Sequence, residues 1–224
     1  MPYSVKDRVN YILSACQGKR VLHVGCADAP NTQKRFETGT LLHTAIEKVA
    51  AVQYGIDLSE KGISFLQKNG FKNLAVANVE DLLVHNPLGQ NEYDVIVAGE
   101  IIEHLPNPGL FLDAIKPLLK QPDGQLVLTT INATNVYRLT YMLLKGEEIV
   151  HPDHVSYYSR KTLIKLLTLK GFIVKDFAYF DIGQEHSVHI QGRTRFLLWA
   201  DRFGTWLRPE FSNGVMVTCE LAQL

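Results

Sequence analysis

The chain has 224 residues, of which 23 are basic and 23 acidic, so it has room for one sizeable core and carries no net charge. A neutral chain offers no broad basic surface, and nucleic acid is therefore an unlikely partner, although a small local site stays open. The three cysteines, Cys16, Cys26 and Cys219, are widely spaced and favour a reduced protein over a disulfide-bonded one. No apolar run approaches the ~18 residues of a membrane span, so we expect a soluble, cytoplasmic protein.

Helical and extended segments alternate along the chain. The first helix is predicted within residues 1–18, where apolar residues recur at helical spacing. Strands are predicted at residues 21–24, 52–57, 74–76, 94–98 and 125–130, with helices at 41–49, 60–69 and 108–120. The tail is predicted to add a helix at 160–170, a strand at 172–180, a helix at 193–207 and a strand at 215–221. This alternation indicates a single α/β domain, residues 1–224, with a mostly parallel sheet.

The most reactive set of side chains follows the strand at residues 94–98. The continuous apolar run of that strand is typical of a strand covered on both faces, and parallel sheets bind ligands at such carboxyl ends. Gly99, Glu100, Glu103 and His104 come next. If a helix begins at Glu100, both carboxylates and the imidazole share one helical face and form a site. The alternative is a helix N-terminus that uses acidic residues against its dipole.

Three strand ends together predict a pocket for a nucleoside. The turn at residues 25–29 is rich in small residues, which let a ligand approach the backbone. Asp57 ends the next strand, where an acidic side chain commonly accepts the hydroxyls of a ribose. Residues 78–81 follow the third strand and could flank an adenine ring. Each feature alone is weak evidence, but their order at successive strand ends predicts a nucleoside site.

Segments within residues 19–180 resemble the class I S-adenosylmethionine-dependent methyltransferases. They are residues 21–28, 55–59, 93–96, 100–108, 118–124 and 128–132, in the order typical of that family. The resemblance implies an α/β fold with a Rossmann-like, seven-stranded, mostly parallel sheet, an antiparallel last strand and helices on both faces. It also implies an enzyme that transfers a methyl group and uses S-adenosyl-L-methionine as its cofactor.

The resemblance assigns cofactor contacts by position: Gly25 and Ala27 border the methionine part, Asp57 the ribose, and Val79 with Glu80 the adenine. The full set of expected cofactor residues is His23, Gly25, Cys26, Ala27, Asp57, Leu58, Asn78, Val79, Glu80 and Gly99. The chain departs from the family at residue 23, where a histidine replaces an acidic residue, at residues 27 and 29, where alanines replace glycines, and at residue 78, where an asparagine replaces an aspartate. His23 either touches the cofactor or is a core residue. The long gap from Gly25 to Asp57 indicates an enlarged first crossover.

Glu100, Glu103 and His104 are the candidate catalytic residues, because the acceptor should approach the methyl group there. Methyl transfer needs an aligned acceptor, and a hydroxyl acceptor also needs a base or a Lewis acid for its proton. Glu-x-x-Glu-His with a downstream Asp-His pair resembles the small-RNA 2′-O-methyltransferases, which implies a divalent cation (magnesium, manganese or iron) bound by Glu100, Glu103, His104 and His154. His151 could replace His154. The alternatives are a metal-free site with His104 as the general base, or a structural role for that histidine.

Residues 145–160 form a polar segment that is predicted to fold over the substrate. With residues 129–132 it resembles the corresponding part of the ubiquinone-biosynthesis O-methyltransferases, while the whole chain, including residues 145–180, is most similar to methyltransferases of polysaccharide and secondary-metabolite pathways. We therefore expect O-methylation of a hydroxyl on a small-molecule or sugar (glycan) acceptor. A quinone O-methyltransferase, an RNA 2′-O-methyltransferase and a nucleoside-binding module without catalysis are the alternatives. A Rossmann dehydrogenase does not fit, because residues 25–30 lack G-x-G-x-x-G.

Aromatic residues recur at helical spacing near the tail, at Phe196, Trp199, Phe203 and Trp206. Core packing is the prediction for this stripe. The alternatives are an apolar wall for the substrate or the face of a homodimer.

Overall fold

The computed structural model describes residues 4–89, 92–181 and 195–222, with residues 195–200 described by their backbone. In this part of the chain one sheet is formed by seven strands: β1 (Arg20–Val24), β2 (Val52–Asp57), β3 (Leu74–Val76), β4 (Val95–Gly99), β5 (Gln125–Ile131), β6 (Phe172–Phe180) and β7 (Gly214–Leu221). Their order across the sheet is β3-β2-β1-β4-β5-β7-β6. β7 runs antiparallel to β5 and β6, and the other neighbouring strands are parallel. The predicted sheet with an antiparallel last strand is confirmed.

Helices pack on both faces of this sheet, because alternate side chains of its strands point in opposite directions. The helices of the described residues are α1 (Arg8–Cys16), α2 (Thr32–Glu37), α3 (Leu42–Glu47), α4 (Glu60–Lys68), α5 (Pro108–Ile115), α6 (Val136–Lys145), α7 (Arg160–Leu169) and α8 (Arg195–Leu207). On one face, α5 and α7 pack through Phe111 and Leu163 against Leu22, Ile96 and Leu126 of the sheet. On the other face, α1 and α3 pack through Ile12 and Ile46 against Val21, Val95 and Val127. None of the described helices is long and apolar enough to cross a membrane.

The chain changes direction across the sheet between β1 and β4. From β1 it runs outward to β2 and β3, and it then returns to place β4 on the other side of β1. In parallel sheets, the crevice at the carboxyl ends of the strands beside such a point is where ligands bind. Gly25, Asp57 and Gly99 lie at the carboxyl ends of β1, β2 and β4, so they border one crevice.

Three connections differ from the predicted elements. The helix expected at residues 41–49 is shorter and is preceded by α2, which accounts for the long gap between Gly25 and Asp57. The helix expected at 108–120 ends at Ile115 and continues as a 3-10 turn, where Pro117 has no N–H to donate to an α-helical bond. No helix begins at Glu100. A short 3-10 turn, Ile102–His104, follows β4 instead.

Residues 4–6 lie along β6, at the edge of the sheet. The backbone N–H of Lys6 donates to the carbonyl oxygen of Tyr179 over 2.9 Å, and the Lys6 ammonium pairs with Asp176. Asp7 then caps α1 by accepting a hydrogen bond from the N–H of Asn10. As a result, the first turn of α1 lies at the carboxyl ends of β4 and β5.

Candidate active site

The turn after β1 is tied to the end of β2 by the carboxylate of Asp57. One carboxylate oxygen accepts the N–H of Ala27 and the other accepts the N–H of Ser59, each over 2.9 Å. Gly25 begins the turn with φ +74°, and a side chain there would overlap Ile101. A carboxylate can accept about four hydrogen bonds, so Asp57 keeps capacity for ribose hydroxyls while it shapes the turn. The residues of this turn fit the nucleoside pocket that the sequence predicts.

The loop after β3 is ordered by its own side chains. Asn78 accepts the N–H of Glu80 and donates to Asp81, and Glu80 accepts the N–H of Asn107 at the start of α5. Val79 is 7% exposed, whereas Leu58 after β2 is 68% exposed. The exposed Leu58 side chain gives apolar surface of the kind a purine ring packs on, whereas Val79 belongs to the core beneath the loop.

His23 packs against His43 of α3 inside the protein. The two Nδ1 atoms are 3.2 Å apart, the rings are stacked, and Gln53 contacts His43 Nδ1 over 2.8 Å. Burial lowers the pKa of His43 to about 4 and that of His23 well below its ordinary value, so both rings are neutral at physiological pH. This arrangement is that of a core residue, and cofactor contact by His23 remains a prediction. Cys26 is also fully buried, packed against α4, and burial raises the pKa of its thiol.

Glu100 does not share a helical face with Glu103 and His104, because no helix begins at Glu100, and the expected single helical face is wrong. Glu100 has φ +55°, its N–H donates to the carbonyl of Thr129, and its carboxylate lies 3.3 Å from the guanidinium of Arg8. This left-handed backbone conformation breaks the helical path before the 3-10 turn begins. Glu100 is therefore also outside the cluster of potential metal ligands that the described residues form.

Glu103 is a buried carboxyl group with one unsatisfied oxygen. It is 1% exposed; Oε2 accepts a 2.9 Å hydrogen bond from Thr130, and Oε1 has no hydrogen-bond partner among the described residues. Burial raises the pKa of this carboxyl to about 7, and the charge of Glu100 adds to the effect. At neutral pH Glu103 therefore exchanges its proton readily and can act as an acid, a base or a ligand.

Two histidines lie beside Glu103 and offer nitrogen atoms to the same space. His104 Nδ1 is 3.2 Å from the carbonyl oxygen of Asp153, and donation by this nitrogen leaves Nε2 with its lone pair. The rings of His104 and His154 are 4.5 Å apart, and His154 Nδ1 is buried without a hydrogen-bond partner among the described residues. Burial lowers the pKa of His154 to about 4, with further contributions from His104 and His151. Donor atoms of Glu103, His104 and His154 all lie within 4.8 Å of one another.

The loop that carries His154 lies between α6 and α7, within the segment 145–160 that the sequence analysis singled out. The N–H groups of Val155 and Ser156 donate to the backbone oxygen of Glu103, over 2.9 and 3.2 Å, which fixes the loop to the 3-10 turn that follows β4. Arg138 of α6 donates to the carbonyl of Ile149 over 2.7 Å and to the hydroxyl of Tyr157 over 3.0 Å. His151 is exposed, with its ring 4.8 Å from that of His154.

The sequence analysis missed Arg8, Thr130 and Arg138. Arg8 and Arg138 are single basic residues on amphipathic helices, and Thr130 is one of two threonines that end β5. Arg8 and Arg138 lie outside the segments that resemble the family, and Thr130 lies within one of them, residues 128–132, without having been singled out. The sequence pattern does place Thr129 and Thr130 at the end of a buried strand. Polar groups at the ends of neighbouring parallel strands meet at one edge of the sheet, so these threonines could have been predicted as neighbours of Glu103.

Comparisons with known proteins agree with this fold. A family model described as a methyltransferase domain matches residues 1–175. The relatives include ubiquinone biosynthesis O-methyltransferases from Haemophilus ducreyi (30% identity over 187 residues, 74% of each chain) and from Actinobacillus pleuropneumoniae serotype 5b (32% over 187 residues, 74% of this chain and 75% of the relative). The crystal structure of a SAM-dependent methyltransferase from Archaeoglobus fulgidus has a TM-score of 0.61 at 19% identity, over 95% of this chain and 91% of that one, and so shares the fold. The chain belongs to the class I S-adenosylmethionine-dependent methyltransferases.

Proposed function

We propose that this enzyme methylates a hydroxyl group on a small aromatic acceptor with an apolar substituent. The observation that carries the proposal is the cluster of Glu103, His104 and His154 at the carboxyl end of β4, beside the cofactor crevice. Amine and thiolate acceptors often need no help in losing a proton, whereas a hydroxyl does. A buried carboxyl with a raised pKa and two imidazoles is the machinery that a hydroxyl acceptor requires.

The chemistry assigned to these residues is proton removal and alignment. S-Adenosylmethionine, held by the turn after β1 and by Asp57, would supply the methyl group, and Glu103 would take the proton of the acceptor hydroxyl. The raised pKa of Glu103, about 7, suits a general base that works at neutral pH. His104 and His154 are the alternative proton acceptors. In this proposal residues 1–224 form one catalytic domain, in which the loop at 145–160 closes the acceptor side.

A divalent cation is a second candidate at the same cluster. Two orphaned buried atoms, Glu103 Oε1 and His154 Nδ1, fit a metal ligand set, and His104 supplies a third donor. One carboxylate with two imidazoles suits manganese, iron or zinc better than magnesium, which prefers oxygen ligands. A bound cation would polarise the acceptor hydroxyl and lower its pKa. Glu100, the fourth expected ligand, would have to leave Arg8 in order to join this set.

The acceptor class is inferred from an exposed apolar surface beside the histidine loop. We call it the α6–α8 surface; its exposed members are Leu139, Met142, Leu143 and Leu144 of α6 and Phe203, Trp206 and Leu207 of α8. Leu143 is 81% and Trp206 78% exposed. Gly204 allows α8 to approach Val136 of α6 closely, and the Asn135 side chain donates to Asp201, so the two helices pack against each other.

Such a surface suits an acceptor with an apolar chain better than a sugar or an RNA. The names of the ubiquinone biosynthesis relatives support the same class of acceptor. The sugar or glycan acceptor expected from the sequence remains a prediction without such support. The dimer interpretation also remains a prediction, because an exposed apolar surface is compatible with a second copy of the chain.

The test is a panel of acceptors with release of S-adenosylhomocysteine as the readout. Catechols with and without a prenyl chain, nucleotide sugars and a short RNA duplex would be compared, each after EDTA treatment and after addition of manganese or zinc. We expect turnover on catechols, with a preference for the prenylated one. Turnover restricted to sugars or RNA would overturn the proposed acceptor class. Turnover that EDTA does not change would exclude a catalytic role for a divalent cation and leave Glu103 as the base.

A further inference from the structure

A cavity that is open to solvent on one side lies at the amino end of β2, at the opposite end of that strand from Asp57. It has a volume of about 270 Å³ and lies between the end of α3, the start of β2 and residues 70–73, which connect α4 to β3. The residues that line it include none of the acceptor cluster and none of the turn after β1. The cavity is therefore separate from both sides of the candidate active site.

The floor of the cavity is made of ring and amide groups that the fold holds in place. His43 is 1% and Phe71 7% exposed, and their rings are 5.3 Å apart. The amide nitrogen of Gln53 donates to the backbone oxygen of His43 over 3.0 Å and lies 2.8 Å from its Nδ1. Asn73 in turn donates to the backbone oxygen of Gln53 over 3.1 Å. Two fixed rings thus offer a surface on which an apolar group can pack without first ordering its site.

Two side chains of opposite charge line the same cavity. Glu47 of α3 and Lys72 both border it, and both are exposed. Within the part of the chain that the structure describes, neither of them forms an ion pair, so their charged atoms lie more than 4.0 Å apart. A ligand with an ammonium and a carboxylate of its own can pair with both side chains. An ion of a single sign is attracted by one of them and repelled by the other.

The floor of the cavity also contacts the turn that follows β1. The ring of His43 is stacked on that of His23, which lies two residues before Gly25. A side chain on Gly55 would come within 2.9 Å of the His43 ring and within 2.7 Å of the sulfur of Cys26, so both groups pack over this glycine. A molecule that fixes or displaces the His43 ring therefore acts on the cofactor turn through His23 and beside Cys26.

We propose that this cavity binds a free α-amino acid with an apolar side chain and that its occupation changes the affinity for the cofactor. Glu47 pairs with the α-ammonium group, Lys72 pairs with the α-carboxylate, and the apolar side chain packs on the rings of the floor. The effect reaches the cofactor turn through the contacts of His43. The proposal does not depend on the acceptor class proposed above.

The first experiment measures binding by calorimetry on protein saturated with S-adenosylhomocysteine, so that the cofactor crevice is already filled. The probe is L-leucine, and its analogues are 3-methylbutylamine, which lacks the carboxylate, and 4-methylpentanoate, which lacks the ammonium group. We expect leucine to bind with a Kd below about 1 mM and each analogue to bind at least about ten-fold more weakly. Absence of leucine binding at about 10 mM would overturn the proposal.

Substitutions at the two charges locate the bound amino acid. Lys72→Gln should raise the Kd of leucine about ten-fold and leave that of 3-methylbutylamine nearly unchanged, because the amine has no carboxylate to lose its partner. Glu47→Gln should likewise weaken leucine but not 4-methylpentanoate. The matched control is Lys48→Gln, next to Glu47 but outside the cavity, which should leave the Kd of all three ligands unchanged. Equal weakening of leucine and 3-methylbutylamine by Lys72→Gln would overturn the assigned pairing.

The coupling to the cofactor is measured in the opposite direction. Saturating leucine should change the Kd of S-adenosylhomocysteine by about two- to ten-fold, and the change should be absent in Lys72→Gln at the same leucine concentration. A change that persists in Lys72→Gln would indicate that leucine competes in the cofactor crevice, and it would overturn the coupling. An unchanged Kd of S-adenosylhomocysteine in the parent protein would overturn the coupling as well. No acceptor is present in these measurements, so a wrong acceptor class would leave their outcome unchanged.

Discussion

The buried histidine pair beneath the cofactor turn predicts a specific loss of stability in acid. His43 is 1% exposed, and burial lowers the pKa of its imidazole from 6.5 to about 4. The unfolded chain therefore binds this proton more tightly than the folded one. The stability that depends on neutral His43 is fully present when the pH is above the pKa of the unfolded state. It is lost as the pH falls toward the pKa of the folded state. We expect replacement of His43 to remove this pH dependence.

The size of the effect follows from the shift in pKa. The fall in the pKa of His43 from 6.5 to about 4 corresponds to at most about 3 kcal/mol, of which about 2 kcal/mol is lost between about pH 7.5 and about pH 5. His43→Gln should be less stable than the parent by about 1–2 kcal/mol near neutrality, because the ring contacts with His23 and Phe71 are lost. Near pH 5 the parent should have lost the advantage, and the two proteins should be about equally stable.

Urea unfolding followed by tryptophan fluorescence measures this difference at both pH values. His43→Phe is the matched second variant, because it keeps an aromatic ring against Phe71 but cannot titrate. The difference in free energy of unfolding between each variant and the parent should change by the same amount from neutral pH to pH 5. The free energies of unfolding of the two variants themselves need not be equal. A stability difference that stays constant within about 0.5 kcal/mol from neutral to acid pH would refute the reasoning, since the imidazole would then not be held neutral by burial.

Three further substitutions test the candidate active site. Glu103→Gln should lower turnover about 10²- to 10³-fold in assays of S-adenosylhomocysteine release, because an amide cannot take the acceptor proton; unchanged turnover would exclude Glu103 as the base. Arg138→Gln should lower kcat/KM about ten-fold with little change in the thermal unfolding midpoint, because it detaches the loop that carries His154; a large fall in the midpoint would instead indicate a role in the core. Gly25→Ala should lower the free energy of unfolding in urea by more than about 2 kcal/mol, because φ is +74° and the new side chain would overlap Ile101. The control Gly18→Ala, with φ +66° and open space around it, should lower it by about 1 kcal/mol. Equal losses in the two variants would contradict a steric role for Gly25.

The cofactor side of the fold could be predicted because its signals are local. Buried parallel strands are continuous apolar runs, so β1, β2 and β4 were located within a residue or two. The small residues after β1 and the acidic residue after β2 then follow from the geometry of strand ends. Gly25 adopts positive φ and Asp57 anchors the turn, in agreement with the roles that a nucleoside pocket requires.

The acceptor side could not be predicted to the same depth because it depends on one backbone angle and on distant partners. The spacing of Glu100, Glu103 and His104 is the same whether the backbone enters an α-helix at once or turns first through positive φ. The observed turn directs Glu100 to Arg8, which precedes it by more than ninety residues in the sequence, and directs Glu103 to Thr130. No short-range pattern contains these pairings.

The aromatic stripe near the tail shows a different limit of sequence patterns. Periodicity indicates which residues share a helical face, but it does not indicate what that face contacts. Phe203 is 46% and Trp206 78% exposed, so the prediction of core packing is wrong for these two residues. The side chains of Phe196 and Trp199 lie outside the described part of the chain. The alternative of an apolar wall or a dimer face therefore gains weight for the end of α8.

The pairing of residues 4–6 with β6 has a consequence for the order in which the enzyme matures. Ser4 accepts a hydrogen bond from Tyr179 and Lys6 donates one to it, so the beginning of the chain is positioned by a strand made some 170 residues later. During synthesis the strands β1 to β5 can associate before β6 leaves the ribosome, and α1 can already pack on them through Ile12, but residues 4–6 have no strand to pair with until β6 is in place. A nascent chain would thus acquire its central sheet first and the pairing of residues 4–6 last. Folding intermediates of this protein should accordingly retain the central sheet while residues 4–6 stay unpaired.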